Sequence, residues 1–179
     1  MRTENDAVRS LKRYLAIALG SEWEVRMWTD EGSFKPPIAR VAESTPAIYS
    51  SKRVQTDIVM GMQVHCFTAP AASASAAMVQ AREVKQLLVT AFELGVDLAR
   101  PRRIPLYDYD GLDESEPSTK RSYYDFLRVQ DLSLNVAQDT DDPNVVVVVA
   151  DLRIAWSQAT TVSPETVTVN SLRVEERAS

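Results

Sequence analysis

Residues 54–68 read VQTDIVMGMQVHCFT. In an extended chain Thr56, Ile58, Met60, Met62, Val64 and Cys66 fall on one face. Gln55, Asp57, Val59, Gly61, Gln63, His65 and Phe67 fall on the other, because successive strand side chains alternate. Small residues fill 69–77, and an apolar-periodic run then continues to Gly95. This pattern predicts a long strand, a short connection and a long amphipathic helix. Gly61 in mid-strand marks a bulge or the close approach of another backbone.

The helix is expected over 73–95, with Ser73 or Ser75 as its N-cap. Ala77, Ala81, Val84, Leu88, Ala91 and Phe92 recur at spacings of three and four, and Val79 and Leu87 widen the stripe. Arg82, Glu83, Lys85 and Gln86 cover the outer side, and Gly95 ends the run. Toward the N-terminus, residues 1–20 read as a second helix, its core spanning 6–19. Thr3, Asn5 or Asp6 caps it, and Val8, Leu11, Leu15, Ala18 and Leu19 form its apolar stripe. Arg9, Lys12 and Arg13 face water, and Gly20 stops the helix. Residues 23–28 alternate as a short strand, with Trp23, Val25 and Met27 on one side and Glu24, Arg26 and Trp28 on the other.

Residues 29–52 carry Pro36, Pro37 and Pro46 and read as a long loop with short extended pieces; 47–51 is a possible edge strand. Phe34, beside two prolines, is an exposed-aromatic candidate for local packing or for partner contact. A second polar segment, 107–125, is acidic first, then basic, then aromatic at Tyr123 and Tyr124, and 106–109 could pair as a strand. Residues 126–138 and 144–157 predict an antiparallel hairpin joined by turn residues 139–144. The second of these strands is apolar on both sides over its first half and one-sided afterwards, so it should begin in a sheet centre and finish half exposed or covered by a neighbouring subunit. Residues 158–179 read as a C-terminal arm whose TVTVN run, with Val167 and Val169, could add to a neighbouring sheet edge.

The bulk properties are those of an ordinary globular chain: 179 residues, 45% hydrophobic and 25% charged. A net charge of −5 and a pI near 5.0 argue against holding nucleic acid by general electrostatics. A single cysteine excludes an intramolecular disulfide and a multi-cysteine metal site, and fits a reduced compartment. No targeting segment or membrane span is legible. His65 neighbours Cys66, but adjacent strand residues point to opposite faces, which disfavours a Cys–His dyad and leaves a half-exposed strand histidine. The acidic run 108–116 begins too close to Gly111 to match a calcium loop, and Asp139, Asp141 and Asp142 read as a turn. No phosphate loop, G-x-S-x-G or H-E-x-x-H motif occurs, so no catalytic residue, metal site or cofactor is assigned. Arg100, Arg102 and Arg103 form the concentrated basic cluster, either solvated or set against an acidic partner such as a second copy.

The expected architecture is α+β: a mixed or antiparallel sheet of about four to six strands packed by two helices. It places one domain at 1–157, with long loops at 29–52 and 107–125, and an arm at 158–179. The element order over roughly 5–157, helix, strand, long loop, long strand, long helix, polar insertion and hairpin, resembles the tail terminator (tail completion) proteins of long-tailed bacteriophages. That resemblance implies a non-enzymatic virion protein of the tail and neck, assembled in the host cytoplasm. Its partners would be further copies of itself in a homo-oligomeric ring, commonly a hexamer, together with the tail tube protein and head–tail connector proteins. DNA would pass through the lumen without sequence-specific binding, and no membrane would be involved. The interface candidates are Phe34, Pro36, Pro37, Arg100, Arg102, Arg103, Tyr123, Tyr124, Val167 and Val169. Two other readings stand beside it: another neck component, and a small α+β enzyme or ligand-binding domain with a tyrosine-lined pocket under 107–125.

Overall fold

The structure, a computed structural model, describes residues 4–52, 55–95, 101–107, 126–139, 141–142 and 144–159. Its elements run α1 (Glu4–Leu19), β1 (Glu24–Met27), β2 (Ile38–Ser51), β3 (Gln55–Phe67), α2 (Ala74–Val89), a π-helical turn (Thr90–Leu94), β4 (Arg103–Pro105), β5 (Phe126–Gln138) and β6 (Val146–Ala159). The six strands form one mixed sheet in the order β1-β2-β3-β6-β5-β4, an α+β fold. Only β1 and β2 are parallel; the other neighbours are antiparallel.

β3 and β6 form the spine, paired without a register break from Gln55 opposite Ala159 to Phe67 opposite Val147. Ile58, Met60, Met62, Val64 and Cys66 of β3 are buried on one face, joined there by Val148, Ala150, Leu152, Ile154 and Trp156 of β6. The two helices cover this face. α2 buries Ala77, Ala81, Val84 and Leu88, and the π turn continues the stripe with Ala91 and Phe92. Ser73 caps α2, its hydroxyl accepting from the Ala76 N–H at 3.2 Å. Gly95 ends the run at φ 87°, a left-handed value that glycine adopts without a Cβ penalty.

Several expectations change. Val79 and Leu87 do not widen the buried stripe; they are 50% and 42% exposed. They stand two residues from Ala77 and one from Leu88, roughly 200° and 100° around the helix. In α1 the buried stripe includes Ala7, Ser10 and Tyr14, while Val8 and Ala18 sit at its margin. Two polar groups are accommodated there: the Tyr14 hydroxyl donates to the Ala91 carbonyl, and Ser10 Oγ accepts from the Tyr107 N–H at 3.0 Å. Arg13 is exposed, but Arg9 and Lys12 are half-buried. Asn5 and Asp6 lie inside the helix and do not cap it, and Thr3 is outside the described residues.

The long loop at 29–52 is corrected to a connection ending at Pro37 and a full strand, β2. Proline-rich composition suggested a breaker, but the backbone finds partners along the whole of β3. Pro46 falls within the register shifts between Glu43 and Ile48, beyond the stretch that pairs with β1. A missing N–H costs little at such a place. Gly61 lies opposite Thr45 in this bulge, and a Cβ on it would meet Ser44 Oγ at 2.7 Å and Thr45 Cβ at 2.9 Å. A short strand, β4, precedes the one expected at 106–109; Leu106 and Tyr107 are outside regular pairing, Leu106 as a buried core residue, and 108–109 lie outside the described residues. β6 is central between β3 and β5 as far as Ala155; beyond it only β3 lies beside the strand, and Ser157 and Gln158 are half-buried. The 108–125 segment and the arm from 160 onward lie outside the described residues.

Candidate interaction surface

The helices cover one face of the sheet. The opposite face carries Arg40 and Ala42 of β2, the odd-numbered residues of β3, Asp151 and Arg153 of β6, and Asp131 and Ser133 of β5. It is apolar at the end where Ile38, Phe67 and Val147 come into register, and again where Ile48, Val59 and Ala155 do. Ile38, Val145 and Val147 are buried, yet they stand apart from the main core. The connection between β1 and β2 passes here, and its Phe34 stacks on Phe67 with ring centroids 5.6 Å apart.

Arg40 organises this end. Its guanidinium lies over the Trp28 ring at 4.4 Å and the Phe34 ring at 4.9 Å, and Nη2 donates to the Trp28 carbonyl. Trp28 in turn packs on His65 at 4.8 Å. The β1 end also holds this arrangement through the Trp28 N–H, which donates to the Val41 carbonyl at 2.7 Å. Trp28 and Phe34 remain 44% and 40% exposed. Two partly exposed aromatics bridged by one arginine make a patch of the composition that anchors protein interfaces.

A polar chain leads away from the patch. His65 Nε2 lies 3.2 Å from Gln63 Oε1, and Gln63 Nε2 donates to Asp151 Oδ1 at 2.6 Å. Burial pushes the His65 pKa below its ordinary 6.5; Arg40 acts the same way and Asp151 opposes it. Beyond lies an open depression of about 440 Å³, lined by Ser44, Thr45, Gly61, Asp131, Asp151 and Arg153 among others. At the far end Asp57 accepts from Lys52 Nζ at 2.5 Å, Ser157 Oγ at 2.6 Å and Gln55 Nε2 at 2.9 Å. The Lys52 and Ser157 bonds hold its carboxyl below the usual carboxylate range.

Cys66 faces the helices, fully buried, and burial raises its thiol pKa to about 12. It is therefore an inert core thiol on the opposite side of the strand from His65. Among the described residues no group of three or more His, Cys, Asp or Glu side chains is placed to hold a metal ion. No described helix is long and apolar enough to cross a membrane.

The residues proposed from sequence separate into places. Phe34, Pro36 and Pro37 belong to the connection that passes the Ile38–Phe67–Val147 end, the two prolines half-buried. Arg102 lies in the turn before β4 and is exposed, but it is ion-paired within the chain. It adopts φ 54° and pairs with Glu93 through two 2.7 Å bonds. Its N–H donates to the Phe92 carbonyl at 3.2 Å, and its carbonyl accepts from the Val129 N–H at 2.9 Å. Arg103 is exposed on β4, opposite Arg128. Arg100, Tyr123, Tyr124, Val167 and Val169 lie outside the described residues. Sequence reasoning missed Trp28 and Arg40 as site residues. The signal for Trp28 was the alternation at 23–28, which put it on the polar side of its strand; Arg40 lay in the segment read as a loop and carried no such signal.

No protein-family model and no curated protein matches the chain. Among solved structures it is similar to a chain of "Virion of native gene transfer agent (GTA) particle", with 14% identity and a TM-score of 0.43. The likeness covers 86% of this chain and 94% of that one, and at this level it carries no assignment of function.

Proposed function

We propose that this chain is a phage-type virion structural protein whose copies assemble into a ring that terminates a tail tube and contributes to the head–tail joint. The observation that carries the reading is the surface itself. One sheet face is given to the helices, while the other presents a Trp28–Arg40–Phe34 patch and an open, largely polar depression. The order of elements, which resembles the tail terminator proteins, supports the same reading. In this reading the patch meets a protein neighbour, and the open face is left to solvent or to the lumen of the ring. A stable contact of that kind buries on the order of 1,000 Å² or more.

The test is reconstitution. Tail tubes assembled without a terminator are mixed with the full chain and imaged by negative-stain electron microscopy. The expected result is a ring at one end of each tube. A chain that stays monomeric and leaves both tube ends bare overturns the reading. The variant Trp28→Ala should weaken capping while leaving the circular dichroism spectrum and thermal midpoint near those of the parent.

A further inference from the structure

Resting on the ring reading, we propose how one copy meets the next: the outer edge of β5 pairs antiparallel with the outer edge of β2 of a second copy. β2 has β1 on its outer side only from Ile38 to Val41. No described strand lies beside 42–51. β5 has β4 on its outer side only from Phe126 to Arg128, and the Val129 N–H is taken by Arg102. No described strand lies beside 130–138. Among the described residues, the sheet therefore offers two stretches without a neighbouring strand, 42–51 on one side and 131–137 on the other, of similar length.

Their placement is complementary. Passing from β2 through β3 and β6 to β5, each neighbour reverses direction, so β2 and β5 run opposite ways. Two copies set side by side without a flip then bring the stretches together antiparallel. β1 stands at the sheet end that holds Phe67 and Val147, and β4 stands at the other end, level with Ala155. The outline is thus stepped on both sides. When 130–138 of one copy seats beside 42–51 of the next, it lies beyond the end of β1, and its own β4 passes beyond Ser51. The contact uses different patches on the two partners, so it propagates head to tail and closes only when the rotation per copy closes. The step offsets each copy along its strands, and closure then needs strands tilted to the ring axis, as in any barrel.

Edge chemistry agrees. Natural sheets blunt exposed edges with proline, lysine, bulges or a covering element. Residues 130–138 read QDLSLNVAQ, with no proline, lysine or glycine. The β2 edge is blunted only in its middle, at Pro46 and the bulge, and 48–51 return to regular pairing with β3. The β5 edge is blunted only at its start, by the register shift at 129–131 and the Arg102 bond to the Gln130 carbonyl; beyond it 132–137 pair regularly with β6 and present a template for a strand, and the regular 48–51 stretch of a second copy supplies one.

Cysteine trapping tests this directly. Ser50→Cys is combined in turn with Asp131→Cys, Ser133→Cys and Asn135→Cys in the full chain, whose native Cys66 is buried. All four introduced positions are exposed and lie on the sheet face away from the helices. Within one copy, Ser50 and Ser133 are separated by about 14 Å across the sheet and about 20 Å along it, too far for a disulfide. Mild oxidation should give a ladder of covalent oligomers for at least one pair and none for the single variants. Rings of full mass without any ladder overturn the edge pairing and leave the ring reading standing. Absence of oligomers by native mass spectrometry, alone and on tail tubes, overturns both. A bond formed by Ser133→Cys with Thr168→Cys, at the exclusion of Ser50→Cys, assigns the β5 edge to the C-terminal arm and also overturns the proposal.

Discussion

His65 titrates where the sheet face is most crowded, between Trp28, Gln63 and Arg40. Its pKa is depressed from 6.5 chiefly by burial, so the folded chain binds that proton more weakly than the unfolded chain does. The stability it contributes is fully present above about pH 6.5 and is lost as pH falls through the folded pKa. Asp57 and Glu93 are also depressed, from 3.8 and 4.5, and act only in the lower carboxylate window. Urea midpoints taken between pH 7.5 and 5 should fall with acidification, and His65→Gln should flatten that slope. A parent slope unchanged by the substitution would place the sensitivity elsewhere. Gly61 is the other constrained residue. Ser44 Oγ can rotate away from a new methyl, but Thr45 Cβ cannot move without its backbone. Gly61→Ala should therefore cost about 1–3 kcal/mol by urea denaturation, with Ser44→Ala recovering only part of it.

At the scale of elements, α2 and its π turn show how a helix end is fastened to a sheet. The Gly95 N–H returns to the Thr90 carbonyl at 3.0 Å, and the turn leaves the Phe92 carbonyl to accept from Arg102. Arg102 has a left-handed backbone and an ion pair in the same residue. Arg102→Gly relieves the backbone and loses the ion pair, whereas Arg102→Ala loses the pair and keeps the strain, so the glycine variant should melt higher. Equal melting temperatures would show that the φ value is inconsequential. At the other end of α2, Ser73→Ala should cost about 1 kcal/mol of stability in denaturant titrations, because the Ala76 N–H loses its acceptor. The spine was legible from residues alone: strict alternation at 54–68 and a three-and-four spacing from Ala77 to Phe92 leave little freedom of fold. β2 was legible only in its 47–51 end, because Pro46 within it and Pro36 and Pro37 before it speak for a loop, which pairing with β3 outweighs. The site was not legible. Alternation placed Trp28 and His65 on faces, but the meeting of Trp28, Phe34, Arg40 and His65 depends on three strands and a connection that sequence order does not align. Val79 and Leu87 were misplaced for a simpler reason: hydrophobicity was allowed to outvote helical angle.

For the whole molecule, the main consequence is asymmetry. The sheet has a covered face and an open one, and it ends on each side in a step that no described strand fills. Such a shape favours repetition of one heterologous contact over a two-fold dimer, since the two edges differ. The Trp28–Arg40 patch lies at the β1 end of the sheet, next to the place where a neighbouring β5 would seat. Patch and edge can then act as one continuous interface. The direct measurement is native mass spectrometry of the full chain across a concentration series, with and without tail tubes. The expected result is a single closed oligomer, with no ladder of intermediate sizes at saturation, whose mass does not grow further. A monomer at every concentration, or an open series that lengthens without limit, would contradict a ring.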